Sequence, residues 1–281
     1  MGKKAVHYSV LMSVYQKEKP AFLRRSMQSI YEQTVPTDDF VLVCDGPLNE
    51  ELNRVIAQMQ KKFGDRLRVI RRKTNRGLGA ALRLGISECK NSLIARMDSD
   101  DISRKDRCEK ELAVFSASPE LSVVGSLVAD FSVSPRELSA GRKVPETHEE
   151  ILRFAQLRSP MNHPSVMYRK EDVLAAGNYQ DVRYCQDYYL WEKMLAKGFK
   201  FYNIQEPLVY MHEDKGSFHR RSGMAYFRIQ KQLFGQMRED GLLAPSRYYI
   251  VLGVRFCSAM APNWLRRIMF NKFMRAEIKC G

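Results

Sequence analysis

In the first hundred residues, short apolar runs alternate four times with segments of helical periodicity, and this alternation constrains the fold more than any other feature. Tyr8 to Val14 is β-branched and apolar throughout, as buried strands are. A helix is expected from about Ala21 to Gln33, where Phe22, Leu23, Met27, Ile30 and Tyr31 recur at helical spacing. A second apolar run from Phe40 stops at Asp45-Gly46-Pro47. A helix near Asn49 to Phe63 then leads to a strand at Leu67 to Arg71. Next come Asn75-Arg76-Gly77, an Ala- and Leu-rich helix to about Cys89, and a fourth strand from Ser92 to Met97. The pattern predicts an α/β fold with an open, mostly parallel central sheet flanked by helices. Ligands of such sheets bind beyond the carboxyl ends of the strands. Asp45, Asn75 to Gly77 and Asp98 to Asp101 therefore gather along one rim.

The fourth strand runs directly into Asp98-Ser-Asp100-Asp101, three carboxylates within four positions. Like charges so close repel, so the cluster is costly unless a cation or donor-rich ligand sits there. Hard oxygen ligands of this kind suit Mg²⁺ or Mn²⁺. An acidic capping turn is the other reading, with Asp101 opening a helix near Ser103. Asp45-Gly46-Pro47 reads equally as a turn, and Asn75-Arg76-Gly77 as a loop whose glycine permits positive φ. GxGxxG and GxxxxGK[ST] are both absent, which gives no support to a dinucleotide site or a P-loop.

Beyond Asp101 a helix is predicted at Lys105 to Phe115 and a Val-rich strand at Leu121 to Phe131, after which the alternation stops. Ser132 to Pro145 reads as a polar surface loop, and Arg158 to Ser165 as irregular. A strand at Val166 to Tyr168 and a short helix from Lys170 to Ala176 follow. Gln186 begins a further helix that runs to about Lys197, closed by Gly198. Asp187 lies in its first turn, where the macrodipole favours an anion. The aromatic run Tyr188-Tyr189-Leu190-Trp191 beside it offers faces against which sugar rings pack. Asp187 is thus either a helix-end charge or a general base.

Composition narrows the function. The chain has 281 residues and a formal charge of +14, which calls for an anionic partner. From Leu242 to the end, seven Lys or Arg face one acid, Glu277. Around Trp264 to Met274 large apolar groups alternate with cations, as in helices that lie in an anionic headgroup region. A helix packed on the domain with a solvated basic face is the alternative. Nucleic acid is disfavoured as a partner, because no RNP, helix-turn-helix or zinc pattern is present. No apolar run reaches the roughly 18 residues of a membrane span, and residues 5 to 14 make a poor signal peptide. The expected location is the cytosol, with six reduced and mostly buried cysteines.

The order of motifs resembles the family 2 glycosyltransferases of the GT-A fold, inverting enzymes that use nucleotide sugars. The resemblance spans Tyr8 to His212. It rests on Ser13-Val-Tyr15, Asp45-Gly46, Asn75-Arg76-Gly77, Met97-Asp98-Ser-Asp100-Asp101 and Gln186-Asp187-Tyr188. It implies that Tyr15 and Asp45 hold the nucleobase, that Asn75, Arg76 and Gly77 face the nucleotide, and that Asp98 contacts the ribose. Asp100, with Asp98 and His212, would hold Mn²⁺ or Mg²⁺ on the diphosphate, and Asp187 would be the catalytic base. The implied partners are a nucleotide-sugar donor, with UDP the favoured nucleotide, and a saccharide or lipid-linked saccharide acceptor. Bacterial O-antigen, capsule or exopolysaccharide synthesis is the implied setting, peripheral on the inner face of the membrane. The expected division is a catalytic domain over 1–241, with halves 1–131 and 132–241, and a basic extension over 242–281. Two residues depart from the family pattern: Cys44 stands where a second acid is common, and Gln186 where Glu is common. A sugar-nucleotide pyrophosphorylase is the nearest rival, but Tyr15 to Pro20 lacks its glycine-rich signature.

Overall fold

The structure, a computed structural model, describes residues 7–131, 138–182, 184–212 and 223–262. Four parallel strands form its first half: β1 (Tyr8–Val14), β2 (Asp39–Cys44), β3 (Leu67–Arg71) and β4 (Leu93–Asp98), in the order β3-β2-β1-β4. Because β1 lies inside and its neighbours run the same way, the strand ends fall level. Val14 pairs with Cys44, and Ser13 with Asp98. That register sets Tyr15, Asp45 and the acidic cluster side by side.

The connecting helices are α1 (Pro20–Tyr31), α2 (Glu50–Phe63) and α3 (Leu78–Glu88), followed by α4 (Arg107–Ala117) after β4. Local chemistry starts them: Pro20 occupies the first turn of α1, and Asn49 caps α2 by accepting the Leu52 N–H at 2.9 Å. Leu23, Met27, Ile30, Val55, Ile56, Met59, Leu112 and Phe115 from α1, α2 and α4 cover one sheet face. Ala81, Leu82 and Ile86 of α3 cover the other, together with residues of the later helices.

The second half is mixed. The short β5 (Ile102–Ser103) is followed by the fully buried β6 (Leu121–Phe131), which pairs antiparallel with β7 (Leu138–Arg142) and β8 (Met167–Arg169). β8 continues the sheet from β4, also antiparallel. The long β9 (Lys200–His212) runs parallel to β6 and closes on β5. Part of the expected 132–145 loop is therefore strand β7. Ile102 and Ser103 are likewise strand rather than the start of a helix, so Asp101 caps nothing. α5 (His148–Ala155), opened by a Thr147–Glu150 capping box, α6 (Lys170–Ala175) and α7 (Gln186–Ala196) complete the second face.

α8 (Gly223–Glu239) and α9 (Pro245–Met260) pack on each other and on α7 through Leu233, Phe234, Met237, Tyr248, Val251 and Tyr188. The start of the basic extension is thus docked on the domain. The Trp264–Met274 stretch lies outside the described residues.

Where α7 meets α8, the side chain of Glu192 is fully buried and its carboxyl is pushed up to about 8, by burial and by Asp240, which Lys193 holds at 2.7 Å. The folded chain therefore keeps a proton that the unfolded chain loses near 4.5, and stability should fall as pH rises between those values. Thermal unfolding from pH 4 to 9 should show this decline in the wild type and a flatter profile in Glu192→Gln. Identical slopes would show that the pair is not titrating.

Candidate active site

The acids at the end of β4 are held by a residue within it. Arg96, 1% exposed, donates from Nη1 to Asp98 Oδ2 at 2.8 Å and from Nη2 to Oδ1, a bidentate clamp. The Asp98 carbonyl accepts from Ser26 Oγ at 2.7 Å, which ties the turn to α1. Asp101 is buried; its Oδ1 accepts the backbone N–H of His212 at 2.8 Å, and its buried Oδ2 has no hydrogen-bond partner among the described residues. Burial, Asp98 and Glu18 push the Asp100 carboxyl up to about 7, and Asp101 is raised well above its usual range by burial and the other two acids. Oxygens of Asp98, Asp100 and Asp101 all lie within 4.8 Å of one another. An orphaned buried oxygen among crowded carboxylates is what a divalent cation relieves, so these residues fit Mg²⁺ or Mn²⁺.

His212 reaches the same place from β9. Its Nδ1 lies 3.8 Å from Asp100 Oδ2, and its ring packs against Phe22 and Phe131 at 4.4 and 5.7 Å between centroids. The structure thus brings Asp98, Asp100 and His212 together and adds Asp101, which the sequence reading left outside the ligand set.

Along the rim, Asp45 is buried and already engaged. Oδ1 accepts from Arg72 at 2.8 Å and from the Arg76 N–H at 3.1 Å, while Oδ2 accepts the Gly77 N–H at 2.8 Å. Its carboxylate therefore shapes the Asn75–Gly77 loop, and a nucleobase N–H would be a further donor to it. Asn75 Oδ1 also accepts from Gly77, closing an Asx turn. Gly46, at φ +93°, lets the end of β2 approach this loop, since a Cβ there would lie 2.8 Å from the Asn75 nitrogen. Tyr15, directly after β1, is 42% exposed and lies level with Asp45.

Asp187 approaches from the second half of the chain. The first turn of α3 abuts the residue before it: a Cβ on Gly79 would lie 2.9 Å from the Gln180 carbonyl and 3.5 Å from Gln186 Cβ. The hydroxyl of buried Tyr179 meets His163 Nε2 at 2.7 Å. Burial and the Arg96 charge hold His163 well below its usual range, so its imidazole is neutral. At Gly79 the start of α7, which carries Asp187, is packed against the first turn of α3.

Residues 9–176 match the family described as glycosyl transferase family 2. This chain belongs to glycosyl transferase family 2. The glycosyltransferase is 32% identical to the UDP-Gal:alpha-D-GlcNAc-diphosphoundecaprenol beta-1,3-galactosyltransferase of Escherichia coli over 95% of this chain and 96% of that one. It is 30% identical to the amylovoran biosynthesis glycosyltransferase AmsE of Erwinia amylovora, over 94% and 98%. Among solved structures it superposes on residues 1–349 of S. aureus TarS in complex with UDP-GlcNAc, with a TM-score of 0.66 at 17% identity, over 95% of this chain and 76% of that one. The mannosyltransferase PcManGT of Pyrobaculum calidifontis, in complex with GDP-Man and Mn²⁺, gives 0.63 at 16% identity, over 88% and 68%. The fold is GT-A.

In this glycosyltransferase, Arg96, His163 and Tyr179 were missed from sequence. A charged residue inside the otherwise apolar Leu93–Met97 run was the available signal for Arg96. Removing it leaves Asp98 unpaired among like charges, so Arg96→Met should cost about 2 kcal/mol, less than for a fully buried pair because Asp98 is a third exposed. Arg96→Lys should recover only part of this, since an ammonium cannot form the bidentate clamp. Urea unfolding of the three proteins checks it, and equal midpoints would show that the clamp adds nothing.

Proposed function

We propose that this glycosyltransferase moves a hexosyl group, with inversion, from a UDP-linked sugar to a saccharide carried on undecaprenyl diphosphate, in bacterial O-antigen, capsule or exopolysaccharide synthesis. The observation that supports the reading is the cluster of Asp98, Asp100 and Asp101 at the end of β4, within 4.8 Å of one another, on the rim where the start of α7, which carries Asp187, packs against α3. Two chemically distinct groups are needed at such a site, one for the departing diphosphate and one for the incoming hydroxyl. Support for the donor and acceptor comes from the E. coli relative, whose name specifies UDP-Gal and a diphosphoundecaprenol-linked sugar.

In this reading Tyr15, Asp45, Asn75, Arg76 and Gly77 seat the nucleoside at the rim. Asp98, clamped by Arg96, would accept from the ribose. Asp98, Asp100 and Asp101, with His212 beside them, would hold Mn²⁺ or Mg²⁺, which when bound neutralises charge on the diphosphate. Asp187 would take the proton of the acceptor hydroxyl as it attacks the anomeric carbon from the face opposite the leaving group. Residues 1–131 would form the donor half and 132–241 the acceptor half. The 242–281 extension would bring the enzyme to the inner face of the membrane.

The test is a nucleotide-sugar screen for transfer in Mn²⁺, repeated with single variants. Asp100→Ala should lose metal-dependent donor binding by calorimetry. Asp187→Asn should bind the donor within about threefold of wild type yet lose at least about 10³ in kcat. Turnover by Asp187→Asn near the wild-type rate would remove it as the base.

A further inference from the structure

Among the described residues the outward side of α9 is apolar and largely exposed, although Phe256, at its margin, packs edge-on against Phe227 of α8 at 5.2 Å between ring centroids. At 100° per residue, Phe256, Tyr249, Met260, Cys257, Ile250 and Val254 fall within an arc of about 160° on the helix surface. Tyr249, Ile250 and Val254 are 67, 66 and 60% exposed, and Phe256 and Met260 both 42%. No acidic residue occurs in the helix at all. Its two cations sit on one flank, where Arg247 donates to Gln156 Oε1 and Arg255 to the Leu157 carbonyl, fixing α9 against the end of α5. The opposite side is firmly docked through Tyr248 and Val251. The exposed stripe is therefore rigidly presented by the fold.

We propose that this face seats the enzyme on an anionic membrane leaflet. A helix of sixteen residues is about 24 Å long, and one such stripe falls short of the roughly 1,000 Å² of a stable protein interface. A leaflet needs no such area, because apolar side chains enter the acyl boundary while neighbouring cations meet the headgroups. The charge suits that surface: +14 overall, with five Lys or Arg against one acid from residue 263 onward. Among the described residues no helix is long and apolar enough to cross a membrane, so the contact is peripheral.

The position of the face gives it a function. Tyr188, adjacent to the proposed base Asp187, packs in the cluster that carries α9. Seating α9 on the leaflet thus brings the acceptor side of the enzyme to the surface from which a lipid-linked saccharide projects. This deepens the membrane part of the proposed function and rests on its lipid-linked acceptor, but the binding itself requires neither donor nor acceptor.

Flotation with vesicles of phosphatidylglycerol and phosphatidylcholine tests it on the full chain. Wild type should float, and should keep part of its binding at 0.5 M salt, where headgroup attraction is screened. Ile250→Asp combined with Val254→Asp should lower the partition coefficient at least about tenfold at low salt, with circular dichroism unchanged. In a Cys280→Ser protein, an environment-sensitive dye on the exposed Cys257 should shift to the blue on adding vesicles. Wild type left in the soluble fraction, binding fully lost in salt, or a double variant that floats like wild type would overturn the proposal. So would a wild-type dimer that the double variant turns monomeric without any vesicle binding, which would assign the face to a second copy. Loss of transfer activity in a protein that still floats would count against the enzymatic reading alone.

Discussion

Three carboxylates at the end of β4 stay together because one guanidinium is buried behind them. Arg96 has nowhere to send its charge but forward: it lies inside the central sheet, 1% exposed, and its carboxylate partner is Asp98, at the sheet edge. The pair fixes Asp98 in orientation, leaving Asp100 and Asp101 to bear the remaining repulsion. Burial, and after it that repulsion, raises their affinity for protons, and a divalent cation would offset both. The other contacts of the site are arranged around this cluster. Ser26 holds the turn from α1, and the amide of His212 neutralises one oxygen of Asp101.

The same economy recurs at Asp45. A lone acid at the end of β2 looks available for a ligand, yet it collects three donors from Arg72, Arg76 and Gly77. Its first effect is on the chain: it organises the loop that opens α3, and α3 in turn abuts Gln186 through the gap left by Gly79. A contact at one strand end is thereby transmitted to the helix that carries Asp187. The proposed donor and acceptor sides are thus in contact by packing, and Tyr179 is buried on the second of them against His163.

Beyond the centre, the fold divides its surface between chemistry and placement. α8 and α9 contribute none of the residues proposed to touch substrate. They bury Tyr188 and leave a charge-free stripe facing outward. Such a stripe is costly in water and useful at an interface between water and hydrocarbon.

The sequence by itself determined the first half of the molecule. Strands and helices to residue 98 are local objects, set by apolar periodicity, by the Asn49 cap and by prolines, and parallel β-α-β connections then force their ends onto one rim. Tyr15, Asp45, Asn75 to Gly77 and Asp98 to Asp101 could be read there because each lies at or a few residues after a strand end. β7 and β9 were not legible: β6 pairs antiparallel with β7 soon after it and parallel with β9 far along the chain, and no local pattern encodes that choice. Only tertiary structure decided that Asp101 bonds to His212, 111 residues away, instead of capping a helix, that Arg96 faces Asp98, and that α9 exposes its apolar side. Each depends on which surface a neighbour leaves uncovered, and that is settled when the elements pack.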